Sequence, residues 1–286
     1  MLFGSKLRTV HEENLNGYDY IIGDLHGSIH LLEKFMLLMF DKKVDRMFSV
    51  GDLIDRGIRS YKSLQLIREP WFFPVLGNHE GMFYSFIDPF GDGDWRQGNS
   101  FWGNGGNWVN DYDVADKKED LKDLAELLTT LPRIRTIEGK NKVHIIHAEF
   151  PIGPNKKYKV LTDAMIEDDE ICMELCTTQS WDGDYSCWGR DQFADFNNND
   201  PTKVIFYDED VKCFESPDLS LVVCGHTIVK RPVLFGKLLN VDTGAWFSPR
   251  PLTIYDVKRQ KLWQVNPDSD DVMEVEPFVV KSSKPD

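Results

Sequence analysis

The chain has 286 residues, of which 41% are hydrophobic and 28% charged, enough for a sizeable core and ordinary for a globular protein. Its formal net charge of -14 argues against a general binder of DNA or RNA, which carry their own negative field. There is no long apolar span and no secretory signal, and the five cysteines form no Cys-x-x-Cys pattern. The expectation is a cytoplasmic protein with reduced thiols and no membrane partner.

In chain order, a short apolar run at Tyr18–Ile22 leads directly into Gly23-Asp24-Leu25-His26-Gly27. Runs this short and this rich in apolar residues read as buried strands. A helix follows over Ile29–Phe40, with Leu31, Leu32, Phe35, Leu38 and Met39 on one stripe. The next run, Met47–Val50, ends in Gly51-Asp52-Leu53-Ile54-Asp55-Arg56-Gly57, and Ser60–Ile67 repeats the helix with Ser60 as its N-cap. Phe72–Leu76 leads into Gly77-Asn78-His79-Glu80. A further helix spans Glu119–Thr130, with Leu121, Leu124, Ala125 and Leu128 on one face and Pro132 as the stop.

Val143–Ile146 runs into His147-Ala148-Glu149, and Leu221–Cys224 into Gly225-His226-Thr227. Between them, 156–210 is weakly periodic and reads as an insertion with some helix. Cys172 and Cys176 are spaced to share a helix face, but no further ligands at a fitting spacing make a zinc site of them. Val233–Phe235 with Leu238–Val241, and Leu252–Val257 with Leu262–Val265, read as hairpins. The acidic tail from Asn266 is expected to be mobile in part. Strand, loop and helix in alternation predict an α/β fold, whose ligands sit at the carboxyl ends of strands.

Taken singly, an aspartate or histidine at a strand end is commonly a turn or packing residue. Here five strand ends in succession carry a ligand type, and together they offer the carboxylates of Asp24 and Asp52, the amide oxygen of Asn78 and the imidazoles of His26, His147 and His226. That set suits a pair of divalent ions, the device that attacks phosphate esters with activated water. Asp24 and His26 can serve one ion, and a carboxylate such as Asp52 can bridge two. Two dications bring four positive charges and the two aspartates cancel two, so the centre stays positive toward a phosphate monoester. Oxygen and nitrogen donors without thiolate favour manganese, with iron or zinc as alternatives, over calcium.

The blocks Gly23–Gly27, Gly51–Gly57 and Gly77–Glu80 resemble the three signature blocks of the metal-dependent phosphoprotein phosphatases, within the calcineurin-like metallophosphoesterases. The likeness is greatest to the bacteriophage lambda-type enzymes and their bacterial relatives. It continues through Asn104-Gly105-Gly106-Asn107-Trp108, His147–Pro151, Cys187–Asp191, Gly225–Thr227 and Val241–Ala245. The resemblance implies a single metallophosphatase domain over 1–286, with a core of about 18–257 and a central β-sandwich flanked by helices. It implies that Asp24 and His26 serve one metal, that Asn78, His147 and His226 serve the other, and that Asp52 bridges. It assigns Arg56 and Arg190 to the phosphate.

The mechanism expected on this basis is direct attack on phosphorus by a metal-bridging hydroxide. His79, next to a ligand but not itself one, acts as general acid, oriented and kept protonated by Asp55. The substrate class implied is phosphoserine and phosphothreonine in proteins or peptides, with phosphotyrosine as a further class. Diadenosine tetraphosphate hydrolysis, a phosphodiesterase on small nucleotides and a non-catalytic metal-binding scaffold are the competing readings. His11, His30 and His144 are assigned to packing or solvent contact, and Trp95, Trp102 and Trp108 chiefly to the core.

Overall fold

The computed structural model describes residues 6–88, 95–111, 114–152, 156–178, 184–190 and 217–280. Its strands are β1 (Arg8–His11), β2 (Asp19–Ile22), β3 (Arg46–Ser49), β4 (Phe72–Pro74), β5 (Ile134–Ile137), β6 (Val143–Ile146), β7 (Leu221–Cys224), β8 (Val233–Phe235), β9 (Leu238–Asn240), β10 (Leu252–Asp256), β11 (Lys261–Val265), β12 (Val272–Val275) and β13 (Phe278–Val280). The helices are α1 (Ile29–Met39), α2 (Ser60–Leu64), α3 (Asn78–Ile87), α4 (Trp95–Gly103), α5 (Lys118–Leu128), α6 (Asp163–Glu167), α7 (Asp169–Thr177) and α8 (Tyr185–Trp188).

Two mixed sheets form, ordered β1-β5-β6-β7-β9-β8-β13 and β12-β11-β10-β2-β3-β4. The two-residue period of a strand divides its side chains between two cores. In β2, Ile21 faces the interior between the sheets, while Tyr20 and Ile22 face the helices. In β7, Val223 faces the same interior, and Val222 and Cys224 face the opposite layer with Cys172 and Cys176 of α7. The result is helix, sheet, sheet, helix, as expected for the sandwich. β2, β3 and β4 run parallel in one sheet, and β6, β7 and β9 run parallel in the other. Their carboxyl ends carry the strand-end motifs.

Several expectations need correction. Leu38 does not join the buried stripe of α1 but is 56% exposed, because Ile29, Leu31, Leu32 and Phe35 fill that interface. Ser60 is the first helical residue rather than the N-cap, and its hydroxyl donates to the Gly57 carbonyl at 2.8 Å. Part of the tail is built into the sheets, where β12 pairs antiparallel with β11 and β13 pairs parallel with β8, while 281–286 lies outside the described residues. The insertion holds α6, α7 and α8, whereas 191–210 of it, together with Cys213, lies outside the described residues. The side chain of Trp95 likewise lies outside them. Cys172, Cys176, Cys187 and Cys224 are free and buried. Among the described residues no helix is long and apolar enough to cross a membrane.

Candidate metal centre

The loops after β2, β3, β4, β6 and β7 converge. Left-handed backbone marks the convergence. Among described non-glycine residues, positive φ occurs at His26 (41°), Asp52 (50°), Asp55 (72°), Arg56 (65°) and His226 (66°), and otherwise only at Gln260 in the β10–β11 hairpin. Such conformations are costly and collect where function demands them. Close approach also fixes two glycines. A Cβ on Gly77 would stand 2.3 Å from Asp52 Oδ1, and one on Gly225 would stand 2.0 Å from Asp24 Oδ1.

Asp24, His26, Asp52, Asn78, His147 and His226 are all buried and in one cluster. His147 Nδ1 lies 2.8 Å from the Val50 carbonyl, which can only accept. In the neutral ring the proton is therefore on Nδ1, and Nε2 presents a bare lone pair. That Nε2 is 2.8 Å from Asn78 Oδ1 and 3.4 Å from Asp52 Oδ1. His26 repeats the pattern: Nδ1 is 2.7 Å from the Ile54 carbonyl, while Nε2 is 3.6 Å from Asp52 Oδ2 and 4.0 Å from Asp24 Oδ2. Burial holds both rings below the usual imidazole range, His147 at about 4.

Lone pairs thus face lone pairs across Asp52, an arrangement that calls for positive charge between them. Arg56 supplies some of it, with Nη1 2.9 Å from His26 Nε2 and Nη2 3.0 Å from His79 Nε2. His226 Nδ1 is 3.0 Å from Asn78 Oδ1, and its buried Nε2 has no hydrogen-bond partner. The carboxylates tell the same story. Burial, then Asp242 and Asp52, push Asp24 well above the usual range, and burial likewise raises Asp52. Asp52 with His26 and His79 forms one set of donors, and Asp52 with His147 and His226 a second, each within 4.8 Å. Backbone-oriented imidazoles and a shared carboxylate fit a pair of divalent ions.

A residue-20 to residue-230 match to the family model described as calcineurin-like phosphoesterase decides the family. The chain belongs to the calcineurin-like phosphoesterases. It is similar to serine/threonine-protein phosphatase 2 of Escherichia coli (strain K12), 37% identical over 145 residues, which cover 49% of this chain and 63% of that protein. It is also similar to the symmetrical bis(5'-nucleosyl)-tetraphosphatase of Dechloromonas aromatica (strain RCB), 41% identical over 64 residues, covering 21% and 23% of the two chains. The chain therefore spans less than two thirds of these curated relatives. The solved structure of a candidate diadenosine tetraphosphatase shares the fold, with a TM-score of 0.51 and 16% identity over 96% of this chain and 99% of that one.

Beside this cluster, Asp55 Oδ2 lies 2.6 Å from His79 Nδ1. The expected imidazolium is not favoured in this site: burial first, then His26 and Arg56, push His79 well below the usual range. Desolvation of the charged ring outweighs the nearby carboxylate, which burial has itself pushed up. Arg190 is near enough to lower Asp52 and His226 by its charge.

Four neighbours had no sequence assignment as site residues. Glu80 reaches back from the third position of α3, accepting the Gly77, Asp52 and Leu53 amides at 3.1, 2.8 and 2.8 Å. Trp108, assigned to the core, also donates from Nε1 to Asp55 Oδ1 at 2.6 Å. Trp246 stands over the Arg56 guanidinium at 5.3 Å. Asp242 is buried beside Asp24. Glu80 and Asp242 each sit in a quoted motif, but only the fold shows what their oxygens face.

Proposed function

We propose that the chain is one metallophosphatase domain that hydrolyses phosphoserine and phosphothreonine in proteins or peptides with two divalent cations, manganese by preference. The observation that carries this reading is the pair His26 and His147. Both engage a backbone carbonyl through Nδ1 and turn Nε2 toward opposite oxygens of Asp52. The donor set proposed is Asp24 and His26 for one cation, Asn78, His147 and His226 for the other, and Asp52 for both. When bound, the cations supply Lewis-acid charge to the phosphoryl oxygens and lower the pKa of water.

The remaining groups are the chain's own. Arg56 and Arg190 bind and orient the phosphoryl oxygens, where their forks match the geometry. Asp55, itself fixed by Trp108, holds His79 through Nδ1, so Nε2 is the atom that delivers a proton to the leaving oxygen. A phosphate dianion beside that ring favours the imidazolium that the free site disfavours. The longer match to a serine/threonine phosphatase supports phosphoprotein over dinucleotide as substrate.

The test is a metal-stripped protein resupplied with single metals and assayed on phosphopeptides and on diadenosine tetraphosphate. Manganese-dependent phosphate release from phosphoserine or phosphothreonine peptides is the expected result. Release from the dinucleotide alone overturns the substrate, and no metal-dependent release from either overturns the function.

A further inference from the structure

The edge that carries the centre has a sixth strand end. In the parallel pair β7–β9, Cys224 stands opposite Asn240, so His226 and Asp242 occupy equivalent places two residues beyond the register. Asp242 is only 1% exposed. Its Oδ1 accepts the Gly244 amide at 2.9 Å, and its own amide donates to Asn240 Oδ1 at 2.9 Å. Its buried Oδ2 has no hydrogen-bond partner.

A carboxylate oxygen in that position is costly unless a cation or ordered solvent meets it. The charges of Arg56 and Arg190 reach this carboxylate, yet neither meets Oδ2, and the segment packed on it brings another carboxylate. The segment bearing Asp24 crosses so closely that a Cβ on Gly23 would lie 2.4 Å from the Val241 carbonyl and 3.4 Å from Asp242 Cα. Asp24 is a second buried carboxylate, raised in part by the charge of Asp242. His226 Nε2, at the equivalent place after β7, is likewise buried without a hydrogen-bond partner.

We infer that Asp242 is a third carboxylate of the centre, with Oδ2 serving the cation on the Asp24–His26 side or the water around it. This rests on the reading above that the centre holds two cations. It changes the charge balance: three aspartates cancel three of four positive charges, and attraction for phosphate then depends more heavily on Arg56 and Arg190. Asp242 on this view acts on the cation side of the centre and makes no contact with the reacting phosphorus.

Asp242→Asn tests it, because the amide oxygen still accepts from Gly244 while the charge is gone. Wild type and variant are stripped, titrated with manganese by calorimetry, and melted without metal. The expected result is about a tenfold or greater loss of manganese affinity at one of two sites. The stripped variant melts higher than stripped wild type, since a buried repulsion is removed. Equal manganese affinities overturn the inference, as does a lower melting temperature without any change in affinity, the mark of a structural role. Asp242→Ser repeats the measurement with a smaller side chain, and failure of both variants to fold also overturns it. A wild type that binds no manganese fails the underlying reading instead, and the wild-type titration alone reveals that.

Discussion

His144 and His147 lie three residues apart, one within β6 and one just past it, and both are buried. Their surroundings differ. His144 is closed on both sides, with Nδ1 2.9 Å from Thr136 Oγ1 and Nε2 3.2 Å from Asp163 Oδ1. Asp163 is in turn met by the Ser220 amide and hydroxyl, each at 2.7 Å. Burial raises that carboxyl, but the hydrogen bonds from His144 and Ser220 prevail and hold it below its usual range. His147 opens onto acceptors and onto His226, whose Nε2 is unmet. A buried histidine whose partners complement it stabilises the fold, whereas one whose partners repeat its own polarity leaves room for a cation.

The contrast breaks most visibly at Asp52. Asp52→Asn should lower phosphatase turnover by about a thousandfold, roughly 4 kcal/mol of barrier, and reduce bound manganese measured by atomic absorption. The stripped variant should be no less stable than stripped wild type. Full turnover in metal-limited buffer would remove Asp52 from the centre.

His144→Ala should act in the opposite way. Leaving Thr136 and Asp163 without their partner should cost about 2 kcal/mol in urea unfolding, with manganese content and kcat/KM of the folded protein unchanged within about twofold. A selective loss of activity would mean the closed cluster communicates with the open one.

Trp108→Phe lies between these poles. It keeps an aromatic ring in the core but removes the donor to Asp55 Oδ1, so His79 loses its fixed orientation. About a tenfold fall in kcat is expected, as for other supporting partners, with both metals retained. Loss of metal along with rate would place Asp55 in the ligand set instead.

The smallest effect concerns His11, whose Nε2 meets Arg135 at 3.0 Å. Burial, then Arg135, Arg46 and Lys6, lower its pKa to about 4. A depressed histidine contributes stability that is present above its unfolded value near 6.5 and is lost as pH falls through about 4. Relative to His11→Gln, wild type should therefore lose stability across that window. Allowing for its partial exposure and screening, the loss is about 1 kcal/mol. Parallel pH curves for the two proteins would show that His11 titrates alike in both states.

The motifs at β2, β3, β4, β6 and β7 were legible because each short apolar run ends abruptly in a polar residue, with glycine close by in all but the β6 motif. Strand period, burial and ligand type all coincide there. The helix α3 was not, because its first turn is the motif Asn78-His79-Glu80 itself, and its cap is a carboxylate shared with the backbone of Asp52 and Leu53. Asp242 was invisible as a site residue because its meaning depends on β9 lying beside β7, a pairing that the chain order Cys224 to Asn240 does not announce. The downward push on His79 in the free site has a related origin. Sequence shows the neighbouring carboxylate, but the enclosing burial comes only from tertiary packing.

The last strands close the molecule in another sense. β12 and β13 cover the outer backbone edges of β11 and β8, one on each sheet. They are in turn the outermost strands, so it is their own outer edges that present unpaired amides and carbonyls, the usual template for pairing with other chains. The covering segment carries Asp268, Asp270, Asp271, Glu274 and Glu276. Charged side chains on an edge segment disfavour pairing with a further strand, so the acids that border the sheets also guard their ends.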